Sequence, residues 1–290
     1  MQSRDLLRLL ALPLVVAAAC SDDTANPGPD AGSGSGSGTA DLTLSAASGN
    51  IGPHLVNKDG KTLYFYVKDT AGSGASSCDA TCLGNWPAYD VQSPTLGAGL
   101  AATDFARIPN GAAMQTTFKG RPLYTFKNDA AAGDTKGEGV GGIWFVARPY
   151  NVFFAENAAV TPVNGTAGGP FLTNGAGKTL YVFSTDTPSA TAPVSSCLAT
   201  GCYAAWPVWE KAATVTTVVV PSTLQAADFT AFSNPGPTGT TGQEKQQFVY
   251  KGYPLYFFAM DAAAGDAKGF GKKNWFTLGA SLTPPPPVTP

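Results

Sequence analysis

Apolar and polar positions along this chain alternate over short runs that turn residues interrupt, and long stretches with helical spacing are hard to find. Leu55 and Val56, then Lys58, Asp59 and Gly60, then an aromatic and β-branched run over residues 62–67 follow a strand, turn, strand order. Residues 115–118, the pair Lys119-Gly120 and residues 123–126 repeat that order. Side chains along a strand alternate faces, so Tyr64 and Tyr66 share one face and Leu63 and Phe65 the other. Residues 100–106 and 224–229 each favour one short turn of helix. The pattern predicts an all-β body.

Internal similarity organises that body. Residues 60–69 read GKTLYFYVKD, 120–129 GRPLYTFKND, 177–186 GKTLYVFSTD and 252–261 GYPLYFFAMD. Every copy fits Leu-Tyr-x-aromatic-x-x-Asp, through Tyr64, Tyr66 and Asp69; Tyr124, Phe126 and Asp129; Tyr181, Phe183 and Asp186; and Tyr256, Phe258 and Asp261. The first and third copies are followed by two cysteines and a Trp-Pro, namely Cys78, Cys82 and Trp86-Pro87, then Cys197, Cys202 and Trp206-Pro207. The second and fourth run on into DAAAGDxKG, and 13 of 18 positions agree between residues 120–137 and 252–269. Trp144-Phe145 corresponds to Trp275-Phe276. The order is A-B-A′-B′, which divides the body into a first unit over residues 41–160 and a second over 165–282. Tandem antiparallel β-hairpins in two duplicated units are expected, as a sandwich-like pair or a small closed repeat array.

These motifs resemble a group of bacterial secreted or lipoprotein repeats recognised by Tyr-x-(Phe/Trp/Tyr)-x-x-Asp, over essentially all of residues 50–280. The resemblance implies a place in the cell envelope and no settled biochemical activity. His54 departs from it, standing where an apolar or aromatic residue is more usual.

Ahead of the repeats, residues 1–8 carry charge, residues 9–19 are apolar, and Ala17, Ala18 and Ala19 directly precede Cys20, the order of a signal peptide over residues 1–19. A membrane span needs about 20 apolar residues, and this run is shorter. The pattern resembles the bacterial lipoprotein signal, with Ala17 where Leu is commoner, and so implies lipid attachment at Cys20 and anchoring to a membrane. Ser21, in place of Asp, points to the outer membrane or cell surface. Residues 20–40 are expected to be the lipidated cysteine and a disordered Gly/Ser tether, since they hold too little apolar surface to offset the entropy of ordering. Residues 283–290, TPPPPVTP, read as an extended proline-rich tail.

Composition refines this picture only slightly. The 34 glycines and 23 prolines suit a body made of turns, and a formal net charge of −2 gives no electrostatic reason to expect nucleic acid as a partner. Cys78, Cys82, Cys197 and Cys202 lie in an exported chain, where disulfides persist. Four cysteines allow three pairings, and bridges within each A copy, 78 to 82 and 197 to 202, are favoured.

Asp69, Asp129, Asp186 and Asp261 stand where a strand ends, and an Asp there accepts backbone N–H groups and fixes the following turn. Asp129 with Asp134 and Asp261 with Asp266 carry the oxygen ligands that Ca²⁺ prefers, but the alternating acids of known calcium loops are missing and Phe270 replaces Glu138 in the second copy. The recurring tyrosines are expected in the core with their hydroxyls bonded. Trp209 and Phe270 have no counterpart in the other unit, which marks them as candidates for an exposed contact.

His54 is the sole histidine, and no nucleophile elbow, zinc-protease or phosphate-loop motif is present. The expected function is a non-catalytic binding or interaction module without a cofactor, anchored to the membrane through its lipid, with an envelope protein or glycan as partner. The alternative is a metal-linked or redox accessory lipoprotein of the envelope.

Overall fold

The computed structural model describes residues 40–47, 51–163 and 165–279. The signal peptide, Cys20, most of the tether and the proline-rich tail lie outside the described residues. The first unit contains Leu42–Leu44 (β1), Leu55–Asn57 (β2), Tyr64–Tyr66 (β3), Ala80–Leu83 (α1), Phe105–Asn110 (β4), Ala113–Phe118 (β5), Arg121–Pro122 (β6) and Trp144–Val146 (β7). The second contains Val152–Ala155 (β8), Phe171–Asn174 (β9), Tyr181–Phe183 (β10), Thr200–Ala205 (α2), Phe229–Asn234 (β11), Lys245–Tyr250 (β12), Tyr253–Pro254 (β13) and Trp275–Thr277 (β14). Single 3₁₀ turns at Ala102–Asp104 and Ala226–Asp228 occupy the two places where the sequence favours a helical turn.

Among the described residues the paired strands are antiparallel and form six sheets of two or three strands, none closed into a barrel. Each sheet of one unit has its equivalent in the other. β1 pairs with β2 as β8 pairs with β9, β3 with β7 as β10 with β14, and β4-β5-β6 matches β11-β12-β13.

The β5–β6 hairpin turns at Lys119 and Gly120, with φ of 49° and 76°; Lys251 and Gly252 do the same between β12 and β13, with φ of 47° and 90°. Two successive positive φ angles match the right-handed twist of the strands they join, and Gly supplies one of them without steric cost. At the first predicted hairpin the turn forms at Gly60, φ 72°, with a Val56–Thr62 bridge. The strand beyond it then leaves β2 and forms its ladder with β7, about 80 residues later in the chain.

Strand pairing also moves the boundary between the units. β8, assigned from sequence to the end of the first unit, pairs with β9 and plays there the part of β1. Asp41 Oδ2 accepts from the Thr95 amide at 2.9 Å, and Asn151 Oδ1 accepts from the Val219 amide at 2.7 Å in the equivalent place. The second unit therefore begins near residue 150. The sequence hid this start because β1 and β8 share an apolar character and no motif.

The two faces of β3 do different work. Leu63 and Phe65 enter a central core that also takes Leu180, Val182, Phe153, Phe154, Phe248 and Leu255 from the second unit. Tyr64 and Tyr66 enter a smaller aromatic cluster with Trp86, Tyr124 and Trp144, and Tyr181, Trp206, Tyr256 and Trp275 make the equivalent cluster in the second unit. Phe153 lies where the units join. Its ring meets Phe65 at 5.8 Å and Phe145 at 6.0 Å, and the buried Arg121 guanidinium sits 4.5 Å from its centroid. With the central core common to both units, Phe153→Ala is expected to lower stability by about 3–5 kcal/mol in a single unfolding transition. Denaturant unfolding followed by near-ultraviolet circular dichroism tests this, and a curve in which one unit outlives the other would contradict a common core.

Candidate functional site

The four motifs meet in pairs, and within each pair they exchange hydrogen bonds. Tyr64 and Tyr124 face each other across an antiparallel bridge, each amide donating to the other's carbonyl at 2.8 and 3.1 Å. The Tyr64 hydroxyl donates to Asp129 Oδ2 at 2.6 Å, and the Tyr124 hydroxyl donates to Asp69 Oδ2 at 2.6 Å. Each tyrosine of one motif thus binds the aspartate of the other. Tyr181 with Asp261, at 2.7 Å, and Tyr256 with Asp186, at 2.8 Å, repeat the exchange.

The second carboxylate oxygen of each aspartate closes the loop that follows it. Oδ1 of Asp69, Asp129, Asp186 and Asp261 accepts from the amides of Ser77, Lys136, Ser196 and Lys268 at 2.6, 3.0, 2.7 and 2.8 Å. All four tyrosines are 0% exposed, so each hydroxyl and carboxylate depends on these partners in place of water. Burial pushes the carboxyls of Asp69 and Asp186 up to about 6, although the bonds from Tyr124 or Tyr256 and from the loop amides pull them down. It also drives the tyrosine hydroxyls far above their ordinary value, with the neighbouring carboxylates adding to the effect.

A column of four rings stands beside each exchange. Tyr66, Trp144, Trp86 and Phe126 stack in that order with centroids 4.2, 3.8 and 4.2 Å apart. In the second unit Phe183, Trp275, Trp206 and Phe258 stack at 4.3, 3.7 and 4.4 Å. The second aromatic of every motif is therefore the end ring of a column whose middle is two tryptophans. Tyr64 and Tyr124 meet Trp86 and Trp144 edge-on at 5.4 and 5.1 Å, the arrangement that ring quadrupoles favour. Gly137 and Gly269 close the packing. A Cβ at Gly137 would lie 2.8 Å from Trp86 and Tyr64, and one at Gly269 2.7 Å from Trp206, while both amides donate to a motif tyrosine oxygen at 3.2 Å. The invariant glycine that ends DAAAGDxKG in both copies was the sequence signal for this contact.

Cys78 is bonded to Cys82 and Cys197 to Cys202, with Cα atoms 5.2 and 5.4 Å apart. Each bridge spans the entry of a short helix, and Asp79 caps the first of these by accepting from the Cys82 amide at 2.8 Å.

The acids of the B loops are also engaged locally. Asp134 Oδ2 accepts from the Ala131 amide and Lys136 Nζ at 2.9 and 2.8 Å, and Asp266 Oδ2 binds the Ala263 amide and Lys268 Nζ at 3.0 and 2.7 Å. Among the described residues no three His, Cys, Asp or Glu side chains converge as a metal site would require. His54 is 2% exposed and bonds Ser45 Oγ and Thr62 Oγ1 at 3.0 and 3.3 Å; burial lowers its pKa, favouring a neutral ring. Its structural counterpart is the fully buried Phe171, which accounts for its departure from the apolar pattern.

Two expectations of exposure are corrected. Trp209 is buried and packs on Phe248 at 4.2 Å, and Phe270 is half-buried against Ala155, Val160 and Phe171. In the first unit Tyr89 takes the place of Trp209, its amide donating to the Leu123 carbonyl as that of Trp209 donates to Leu255, and Phe270 packs within the second unit.

With the motif groups bound to one another, concave surface lies elsewhere. A cleft of about 740 Å³ runs between the units, lined in part by Lys119, Tyr150, Asn151, Glu210 and Phe248. Its charged groups are paired, Lys119 with Asp104 at 2.9 Å and Glu210 with Lys245 at 2.8 Å.

Residues 45–89, 110–148 and 238–278 match a lipoprotein family model described as a secreted repeat of unknown function. The three segments take in the first A copy and both B copies; the A′ copy has the same tyrosine, aspartate and ring geometry without a match of its own. Neither curated proteins nor solved structures give a match.

Tyr64→Phe leaves a buried Asp129 carboxylate without its strongest donor, so a loss of about 1–3 kcal/mol is expected in denaturant unfolding. The pH dependence has a defined sign. Asp69 and Asp186 bind a proton more tightly in the folded chain, at about 6 against an ordinary 3.8, so their stabilising contribution is complete below 3.8 and lost as pH rises through about 6. The melting temperature is expected to rise as pH falls from 7 to 5, and the doubly substituted Asp69→Asn, Asp186→Asn chain to lose most of that rise. A melting temperature that instead falls steadily over this interval would contradict the assignment.

Proposed function

We propose that this chain, which carries copies of a secreted repeat of unknown function, is a lipid-anchored envelope protein whose duplicated body is a non-catalytic binding module. The observation that carries the reading is the use to which the recurring side chains are put. Tyr64, Tyr124, Tyr181, Tyr256 and the four motif aspartates are buried and bonded to another motif, so these recurring groups serve the scaffold and are not free to act as nucleophile or general base. A binding role suits a scaffold of this kind, because a rigid duplicated body presents its junction and loops with little conformational freedom.

Anchoring is supported by the apolar run over residues 9–19 and the small residues before Cys20. Among the described residues no helix is long and apolar enough to cross a membrane. Two acyl chains or more suffice for stable anchoring, each buried CH₂ contributing about 0.8 kcal/mol. Absence of Asp after Cys20 favours the outer membrane or cell surface.

The test is metabolic labelling with a palmitate analogue followed by membrane fractionation. The wild-type chain is expected to take up label and sediment with outer membranes. Cys20→Ser is expected to lose the label and to accumulate as an uncleaved precursor. Label retained in Cys20→Ser, or a soluble unlabelled wild-type chain, would refute the anchor.

A further inference from the structure

In a duplicated protein, residues that build the scaffold recur in both units, and side chains that serve one unit alone stand out. Arg148 and Glu138 are such residues. Counting from the equivalent tryptophans and glycines, Gly279 stands in place of Arg148 and Phe270 in place of Glu138. Both charged residues line one cleft of about 500 Å³, where residues 51–52, Glu138 and Arg148 of the first unit face residues 217–226 of the second.

The Arg148 guanidinium is held there without a partner. Among the described residues it donates no hydrogen bond and has no carboxylate within salt-bridge range, and its buried Nε has no acceptor. A buried guanidinium N–H without an acceptor is costly and calls for a physical account. The backbone makes room for it: a Cβ at Gly52 would lie 2.9 Å from Arg148 Cζ. Tyr150 flanks it, with its ring centroid 5.8 Å from Cζ.

Glu138 is near enough to feel its charge but forms no ion pair with it. Its Oε2 accepts from the Val146 amide at 2.6 Å, which ties the carboxylate to β7. Beside these groups Ile51, Val218, Val220 and Leu224 form an aliphatic strip of wall, set among the polar Thr217, Ser222 and Gln225. A fork of unused N–H donors next to an aliphatic wall suits a planar carboxylate carrying a hydrocarbon body, since the guanidinium binds such a group through two parallel bonds.

We propose that the Arg148 cleft binds a small organic carboxylate, its head group on the guanidinium and its carbon chain along Ile51 and the 217–226 segment. This assignment rests on the reading of the body as a binding module and names the ligand class of that module.

Calorimetric titration of the full lipidated chain in detergent tests it, with acetate, hexanoate and inorganic phosphate as probes. Hexanoate is expected to bind saturably and more tightly than acetate, and phosphate not to compete. Arg148→Gln is expected to weaken hexanoate binding by about tenfold or more, the effect of removing a charge-assisted pair. Arg148→Lys guards against misfolding, because it keeps the charge, loses the fork and should also weaken binding while leaving the melting temperature near that of the wild type. Arg107→Gln, at the surface pair with Asp90, should leave binding unchanged. Absence of saturable hexanoate binding, tighter binding of phosphate, or full affinity in a folded Arg148 variant would each overturn the proposal. Palmitate labelling at Cys20 scores the anchored-module reading separately, so either can fail alone.

Discussion

The structure depends on a buried tyrosine hydroxyl that no residue of its own motif can satisfy. Taken out of water, a phenol needs an acceptor and a carboxylate needs donors, and each motif supplies one of each at positions too far apart along its strand to meet. Two motifs lying antiparallel solve both problems together, because the tyrosine of one reaches the aspartate of the other. The ring columns, the close-packed glycines and the loop closures all attach to that exchange. Their distances agree between the units within a few tenths of an ångström.

Seen this way, the chain separates into residues that the exchange requires and residues that it leaves free to differ. Tyr, Asp, Trp and Gly recur because each is bonded or packed within a pair. Arg121, whose place in the second unit is taken by Tyr253, shows how a differing position can still be structural: it is buried, donates one N–H to the Asp69 carbonyl at 3.0 Å and lies over Phe153, although its Nη2 has no acceptor. Arg148 differs as well, but it meets no acceptor.

Much of the architecture was legible in the sequence. The alternation over residues 63–66 placed the two faces of β3, and the Lys119-Gly120 pair marked the turn between β5 and β6. The fourfold motif, similarly, announced a duplicated all-β body. Other features were hidden for definite reasons. The Tyr64 to Asp129 bond spans 65 residues, and nothing local distinguishes a hydroxyl that bonds its own motif from one that bonds another. β3 left its hairpin for β7 because pairing depends on the whole sheet. β8 carried no motif, so the start of the second unit was placed too late. Trp209 was expected outside because no tryptophan matches it in the first unit, whereas Tyr89 holds the equivalent place in the strand pairing and both rings pack against the core.

The reciprocal bonding also imposes a rule of parity. An array of these motifs is complete only at even copy number, since an unmatched copy would bury one phenol and one acid with nothing opposite. Growth or loss of such arrays in evolution should accordingly proceed by whole A-B couples, and the present chain, with two couples, has the form that a single doubling of the smallest self-sufficient array would produce.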